Sequence, residues 1–288
     1  MQFLSRTKDI LHFTKQFYYL KVSDLVALHS LEDFQNSSKR SKAFFKADIP
    51  LPLHSIALDV DVLVKFNEVS VSFGDKPVLS HINWTIKRGE FWQLKGPNGS
   101  GKSTLLNMIV GDSHKGYGQD LTLFGMKKGS GESVWDIKHY IGYFTPAMLI
   151  SFKGYDTLKN MLMAGLHYAI GLYVKPSELE KTLALKWLAL LGLDHKKEVQ
   201  FRKLPEGEKR LVMTARAMIK HPPLLILDEP TIGLDDTNAS KFVSLVNKMA
   251  KETNATILYV SHRNEEGLHP KSTYELTPTP NGAIGKIK

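Results

Sequence analysis

From residue 62 onward, apolar positions alternate with polar ones. Val62, Val64 and Phe66, then Val69, Val71 and Phe73, show the period of strands with one buried face, and residues 74–77 read as a turn. Two more short apolar runs follow, split by Lys87, Arg88 and Gly89, and the second leads straight into a glycine-rich loop. Residues 102–110 predict a helix stopped by Gly111. Ser177 and Glu180 form a capping box for a later helix on which Leu179, Leu183, Trp187, Leu190 and Leu191 share a face, and Gly192 ends it. The chain then alternates between the run at 224–230, a helical stretch around 242–250 and the run at 255–262. That is the β-α-β rhythm of a covered, mostly parallel sheet. Residues after Leu268 show no clear element.

Upstream the pattern differs. Ile10, Phe13, Phe17 and Leu20 recur at steps of three and four, which predicts one face of a helix. Residues 35–42 read as a loop, and Pro50 and Pro52 disfavour helix. The first of the 21 glycines is Gly74, so composition shifts in the sixties. The expected division is an extension at 1–64 and a nucleotide-binding domain at 65–288.

With 288 residues, 42% of them hydrophobic, the chain can bury one large core or two modest ones. It has no cysteine, which excludes disulfides and thiolate metal sites and suits a reducing compartment, so a cytoplasmic location is expected. The first twenty residues lack the continuous apolar stretch of a secretory signal. The most apolar later window, residues 161–174, contains His167 and falls short of the roughly 20 residues needed to span a bilayer, so any membrane pathway would belong to another chain. The net charge of +9 is spread out: residues 1–64 hold 8 Lys and Arg against 7 Asp and Glu, and no basic arm forms. This argues against a nucleic-acid partner.

The chemistry centres on residues 96–104. Gly96, Pro97, Asn98, Gly99, Ser100, Gly101, Lys102 and Ser103 fit the spacing GxxxxGK(S/T), and Thr104 follows. Glycines let successive backbone N–H groups converge on a polyphosphate, and the following helix N-terminus adds its dipole. Lys102 supplies a point charge for β and γ phosphates, and the Ser103 hydroxyl suits Mg²⁺. The strand at 224–227 ends in Asp228, which can hold an Mg²⁺-bound water, and Glu229, which can polarise the attacking water. Two adjacent carboxylates at the end of an apolar strand would be costly without a nearby cation. His262 ends another apolar run and can sense a γ-phosphate.

These elements, in this order, resemble the ATP-binding-cassette (ABC) ATPases over about residues 65–265. The resemblance implies a P-loop fold of α/β class: a mostly parallel core sheet, an antiparallel β subdomain and a helical subdomain at about 145–215. It also implies ATP and Mg²⁺ as ligands. Phe73 takes the place of the adenine-stacking aromatic. Leu204, Pro205, Glu206, Gly207 and Glu208 match the family signature, which acts on nucleotide held by a second cassette. Gly233, Leu234 and Asp235 match the D-loop, and His262 the switch histidine. Residues 115–144 look closer still to the family's molybdenum-transport branch, also called photorepair proteins, whose members often carry two cassettes. By that likeness, residues 1–64 stand as the remnant of a second cassette or as an unrelated extension. Two departures stand out. Pro205 has neither the hydroxyl nor the N–H of the signature serine, and Thr145 or Pro146 replaces the glutamine that couples the family to a transporter. Both imply slow hydrolysis.

Three readings follow. The first is a soluble ATPase that closes head to tail with a second cassette, as a homodimer or heterodimer. The second is a subunit at the inner face of the membrane that energises a permease. The third is a nucleotide switch with negligible turnover. A DNA-maintenance ATPase would show heptads between residues 104 and 204, and none are sustained there.

Overall fold

A computed structural model describes residues 17–21, 24–28, 44–152, 155–169 and 171–288. Strands β1 (Phe17–Lys21) and β2 (Asp24–Leu28) form an antiparallel hairpin. This corrects the expected helix for Phe17 and Leu20, while Ile10 and Phe13 lie outside the described residues. Phe17, Tyr18, Tyr19 and Leu20 form a strand-favouring run, and a complementary segment four residues on lets it pair as a strand.

Strand β3 (Val62–Phe73) pairs with β4 (Lys76–Lys87) and with β6 (Asp120–Leu123), which turns into β7 (Met126–Lys127), giving the antiparallel sheet β4-β3-β6-β7. The two apolar triplets of β3 are three residues apart at Phe66 and Val69, so an unbroken strand would send them to opposite faces. A bulge restores the phase: Phe66 pairs with Trp84 and Val69 with Ile82, with Glu68 between them at φ 52. The Glu68 N–H donates to Asn83 Oδ1 at 3.0 Å, and its carboxylate meets His81 Nδ1 at 2.7 Å. Phe66, Val69 and Val71 are all buried.

The second sheet runs β12-β11-β5-β10-β9-β8, from β5 (Phe91–Lys95), β8 (Ile141–Phe144), β9 (Leu224–Asp228), β10 (Thr256–Ser261), β11 (Ser272–Thr277) and β12 (Ile284–Ile287). All its neighbours are parallel except β11 and β12. The last two strands had no sequence signal: β11 mixes buried and half-exposed positions, and β12 has only half-exposed and exposed ones.

The helices are α1 (Lys102–Ile109), α2 (Val134–His139), α3 (Ala147–Ser151), α4 (Leu158–Leu166), α5 (Glu178–Leu191), α6 (Glu206–Met218) and α7 (Asp236–Glu252). The capping box Ser177–Glu180 opens α5 and Gly192 closes it at φ 70. Leu183, Trp187, Leu190 and Leu191 are buried, but Leu179 is 69% exposed. The first turn of α5 overhangs the core, so Ala184 and Leu188 complete the buried face instead.

The parallel sheet is a wall between two cores. On β9, Leu225 and Leu227 face the helical side with α4, α5 and α6, while Leu224 and Ile226 face α1 and the antiparallel sheet. On β10, Ile257 and Tyr259 take the first side, Leu258 and Val260 the second. Burial on both faces explains the unbroken apolar runs. Ahead of β3, the Ile49 N–H donates to Glu252 Oε2 at 3.1 Å, and His221 Nε2 lies 2.8 Å from the Pro50 carbonyl oxygen. Among the described residues, no helix is long and apolar enough to cross a membrane.

Candidate functional site

β5 leaves the centre of the wall at Gly96 and re-enters structure at α1. A Cβ at Gly96 would lie 2.6 Å from Ser100 Oγ and 2.9 Å from the Leu276 carbonyl oxygen, so the loop can curl only without one. Gly101 precedes α1 at φ 90, a conformation that strains other residues, and a Cβ there would lie 2.6 Å from Leu79 Cδ2. The result is a narrow cradle at a helix N-terminus. Inside it, the Ser100 hydroxyl is buried with no hydrogen-bond partner among the described residues.

Lys102, 8% exposed, folds back over the loop. Its Nζ donates to the Gly96 and Pro97 carbonyl oxygens at 2.7 and 3.1 Å and lies 3.9 Å from Glu229 Oε1. Burial lowers the ammonium pKa, and the charges of Glu229 and Asp228 oppose that shift. Parallel pairing carries β9 beside β10 and β8, delivering Asp228 and Glu229 at its end. Burial raises the Asp228 carboxyl pKa, and the neighbouring Glu229 adds to the rise; the Tyr143 hydrogen bond and Lys102 act against it. That hydrogen bond runs from the Tyr143 hydroxyl to Asp228 Oδ2 at 3.3 Å. Glu229 sits at φ 48, fixed by its N–H donating to the Val260 carbonyl oxygen at 2.9 Å. His262 Nδ1 lies 3.0 Å from both Glu229 oxygens. Arg263 Nε donates to His262 Nε2 at 3.0 Å, which makes Nε2 the acceptor and leaves Nδ1–H for Glu229.

A cavity of about 440 Å³ opens over these groups. Of the predicted residues, Asn98, Gly99, Gly101, Lys102, Ser103, Thr104, Asp228 and Glu229 line it, joined by Val78, Thr145, Pro146, Ala147 and Ile232. Gly96 and Pro97 hold Lys102 through their carbonyl oxygens, Ser100 lies outside the lining, and His262 connects through Glu229. Phe73 is not in the lining; its ring is 50% exposed with Lys115 Nζ 5.2 Å from its centre.

Leu204 to Glu208 also lie outside the lining. Pro205 caps α6 in an extended conformation, and a Cβ on Gly207 would collide with the Asn238 side chain. Glu208 pairs with Lys196 at 2.7 Å and Glu206 with Arg210 at 3.2 Å, so each carboxylate has a cation beside it. Arg210 Nη1 also donates to the Pro230 carbonyl oxygen at 2.7 Å, tying α6 to the segment after Glu229. Gly233 has φ 74, Leu234 is buried, and Asp235 caps α7 by accepting from the Asn238 N–H at 2.8 Å. Sequence reasoning missed Tyr143, Arg210 and Asn238, whose contacts join distant segments, and Arg263, which fixes the tautomer of the adjacent His262.

A strand, a glycine cradle, a helix N-terminus with a buried lysine and an acidic strand end define a P-loop nucleotide-binding site. The ABC transporter family model matches residues 79–232. The uncharacterized ABC transporter ATP-binding protein YlmA of Bacillus subtilis is 32% identical over 206 residues, covering 71% of this chain and 78% of that protein. The chain therefore belongs to the ABC transporter family and has the fold of its ATPase cassettes. The ABC transporter ATP-binding protein ModF of Escherichia coli is 39% identical over 239 residues, covering 82% of this chain but 48% of ModF. The chain thus spans about half the length of that relative. Among solved structures, CbiO1 of Clostridium perfringens, part of the CbiONQ transporter complex, superposes with a TM-score of 0.66 at 25% identity, covering 78% of this chain and 88% of that one. The ADP conformation of the cassette MJ1267 gives a TM-score of 0.64 at 22% identity, covering 78% and 90%.

Proposed function

We propose that this chain binds ATP with Mg²⁺ in the 440 Å³ cavity and hydrolyses it slowly when two cassettes close head to tail. One observation carries the reading: a buried lysine, a glycine cradle at a helix N-terminus and two strand-end carboxylates line one cavity. On ATP binding, Lys102 exchanges its bonds to Gly96 and Pro97 for phosphate oxygens, and the backbone N–H groups of residues 98–102 hold the β-phosphate. The Ser103 hydroxyl and the Asp228 carboxylate would hold Mg²⁺, the hard oxygen donors that this ion prefers, with water and phosphates completing the shell. Bound there, the ion neutralises charge developing on the β and γ phosphates. Glu229 orients a water and takes its proton as the water oxygen bonds to the γ-phosphorus and the bond to the β-γ bridging oxygen breaks. His262 holds Glu229 and senses the γ-phosphate. Phe73 offers its exposed ring to adenine.

The opposing cassette contributes Leu204 to Glu208 and the D-loop Gly233 to Asp235. Pro205 offers no donor there, which supports slow turnover. The likeness of residues 115–144 to the molybdenum-transport branch extends the proposal to molybdate-linked transport or regulation.

The test is ATP affinity with and without Mg²⁺, beside phosphate release. Lys102→Ala should lose at least about 10-fold in affinity, as for a charge-assisted contact. Glu229→Gln should keep affinity and lose at least about 100-fold in release, as for a general base. Wild-type protein with no Mg²⁺-dependent affinity would overturn the reading.

The likeness to CbiO1, part of a transporter complex, favours a second reading: a subunit that docks on a permease at the inner face of the membrane. Co-purification with a membrane-spanning chain from solubilised membranes would support it, and recovery of the protein free of any such chain would count against it.

A further inference from the structure

Tyr143 belongs to none of the nucleotide motifs, yet it touches one of their carboxylates. β8 and β9 are parallel with Tyr143 opposite Ile226, so Tyr143 projects from the same face as Ile226 and, two residues on, Asp228. Two residues of strand rise about 6.6 Å, roughly the reach of a tyrosine side chain, and the hydroxyl arrives 3.3 Å from Asp228 Oδ2. The register is enforced from behind. Gly142 runs so close to α6 that a Cβ would collide with the Ala217 carbonyl oxygen and would lie 2.8 Å from Pro222 Cγ. Below the hydroxyl, the ring packs against the core shared by α1 and the antiparallel sheet. Phenylalanine would fill that space equally well, so the oxygen is the informative atom. Two residues beyond Tyr143, Thr145 lines the cavity together with Asp228.

We propose that Tyr143 is a positioning residue for Asp228, fixing one carboxylate oxygen so that the group is already oriented when nucleotide brings Mg²⁺ into the cavity. This rests on the ATP–Mg²⁺ reading above and deepens it. Partners that orient a metal ligand commonly set the affinity of the site by 10- to 100-fold. The bond here is long, so the lower end applies.

The experiment is a fluorescence titration with an N-methylanthraniloyl ATP analogue on the full chain, in EDTA and then across a Mg²⁺ series. Tyr143→Phe should raise the Mg²⁺ concentration needed for half-maximal tight binding by roughly 10-fold while leaving affinity in EDTA unchanged. Equal loss in both arms would mean a merely structural role and would overturn the proposal, as would an unchanged Mg²⁺ midpoint. A second arm guards against misfolding: in an Asp228→Asn background, Tyr143→Phe should add nothing further, and an additive loss also overturns it. Wild-type and Lys102→Ala proteins run alongside. If wild type shows no Mg²⁺-dependent binding, the ATP reading itself falls; if wild type behaves as expected and Tyr143→Phe matches it, only the role of Tyr143 falls.

Discussion

Ser100 carries a buried polar group that no other described residue answers. Its hydroxyl is 1% exposed and without a hydrogen-bond partner, although the loop around it is otherwise well tied. A buried hydroxyl left unpaired costs about 1–3 kcal/mol. This one lies behind the cavity lining, where the backbone of Gly96 passes close to it. Replacing it by alanine removes the penalty without removing a contact. Ser100→Ala should therefore raise the nucleotide-free melting temperature by about 2–4 °C per kcal/mol relieved. The further rise on adding ATP and Mg²⁺ should stay close to that of wild type, because Ser100 lies outside the cavity lining. Differential scanning calorimetry with and without ligand reads both quantities. A variant that melts lower without nucleotide would show that the hydroxyl is already satisfied within the fold.

At the scale of elements, the segment joining β7 to α2 shows how a tight loop is held by charge. Glu132 accepts from the Gly129 N–H at 3.0 Å and the Ser130 N–H at 2.9 Å, and pairs with Lys128 at 3.0 Å. Burial pushes the Glu132 carboxyl pKa up, but the Gly129 N–H and Lys128 outweigh it and hold it at about 2, below its ordinary 4.5. A carboxyl with a lowered folded pKa stabilises above its unfolded pKa and loses that contribution as pH falls through the folded one. Glu132→Gln strands Lys128 beneath Tyr117, whose ring centre is 4.6 Å from Nζ. At pH 7 it should destabilise by about 3 kcal/mol, the order expected for breaking a buried pair. In urea melts the gap between variant and wild type should hold from pH 7 to about 5 and narrow from about 4.5 toward 2, following the limits of the shift. A gap independent of pH would rule the linkage out. Elements of this kind also mark what could be read from sequence. The 96–104 loop, Asp228, Glu229 and the Ser177–Glu180 cap were legible because their chemistry is local: spacing along the chain fixes their geometry. Phe17 and Leu20 misled, since a three-four spacing is also met by a strand whose partner lies a few residues away. Leu179 misled because periodicity gives a face but not where the core ends. Tyr143 and Arg210 carried no signal at all. Each acts on a residue tens of positions away, brought near by sheet pairing and helix packing.

For the whole molecule, the central question is where the segment Leu204–Glu208 acts. The wall of parallel strands puts the phosphate cavity at the ends of β5 and β9, while α6 begins outside that cavity. Within one chain the two do not meet, so their joint use requires a second cassette. Closing two cassettes must offset a loss of translational and rotational freedom of about 4–15 kcal/mol. Pro205 can give no hydrogen bond toward a bound phosphate, and Glu206 and Glu208 are already engaged with Arg210 and Lys196. The closed pair should therefore be weak, and it should depend on ATP remaining intact. Glu229→Gln, which binds but does not cleave, is the right protein to examine. In sedimentation velocity it should be monomeric without nucleotide and shift toward a dimer with ATP and Mg²⁺, at protein concentrations of tens of micromolar, as expected for an affinity of about −6 to −7 kcal/mol. Pro205→Ser, which restores a donor at the start of α6, should shift that equilibrium toward dimer at lower protein concentration. If Glu229→Gln binds ATP tightly yet stays monomeric across the concentration series, this chain does not pair with itself, and the head-to-tail homodimer is eliminated.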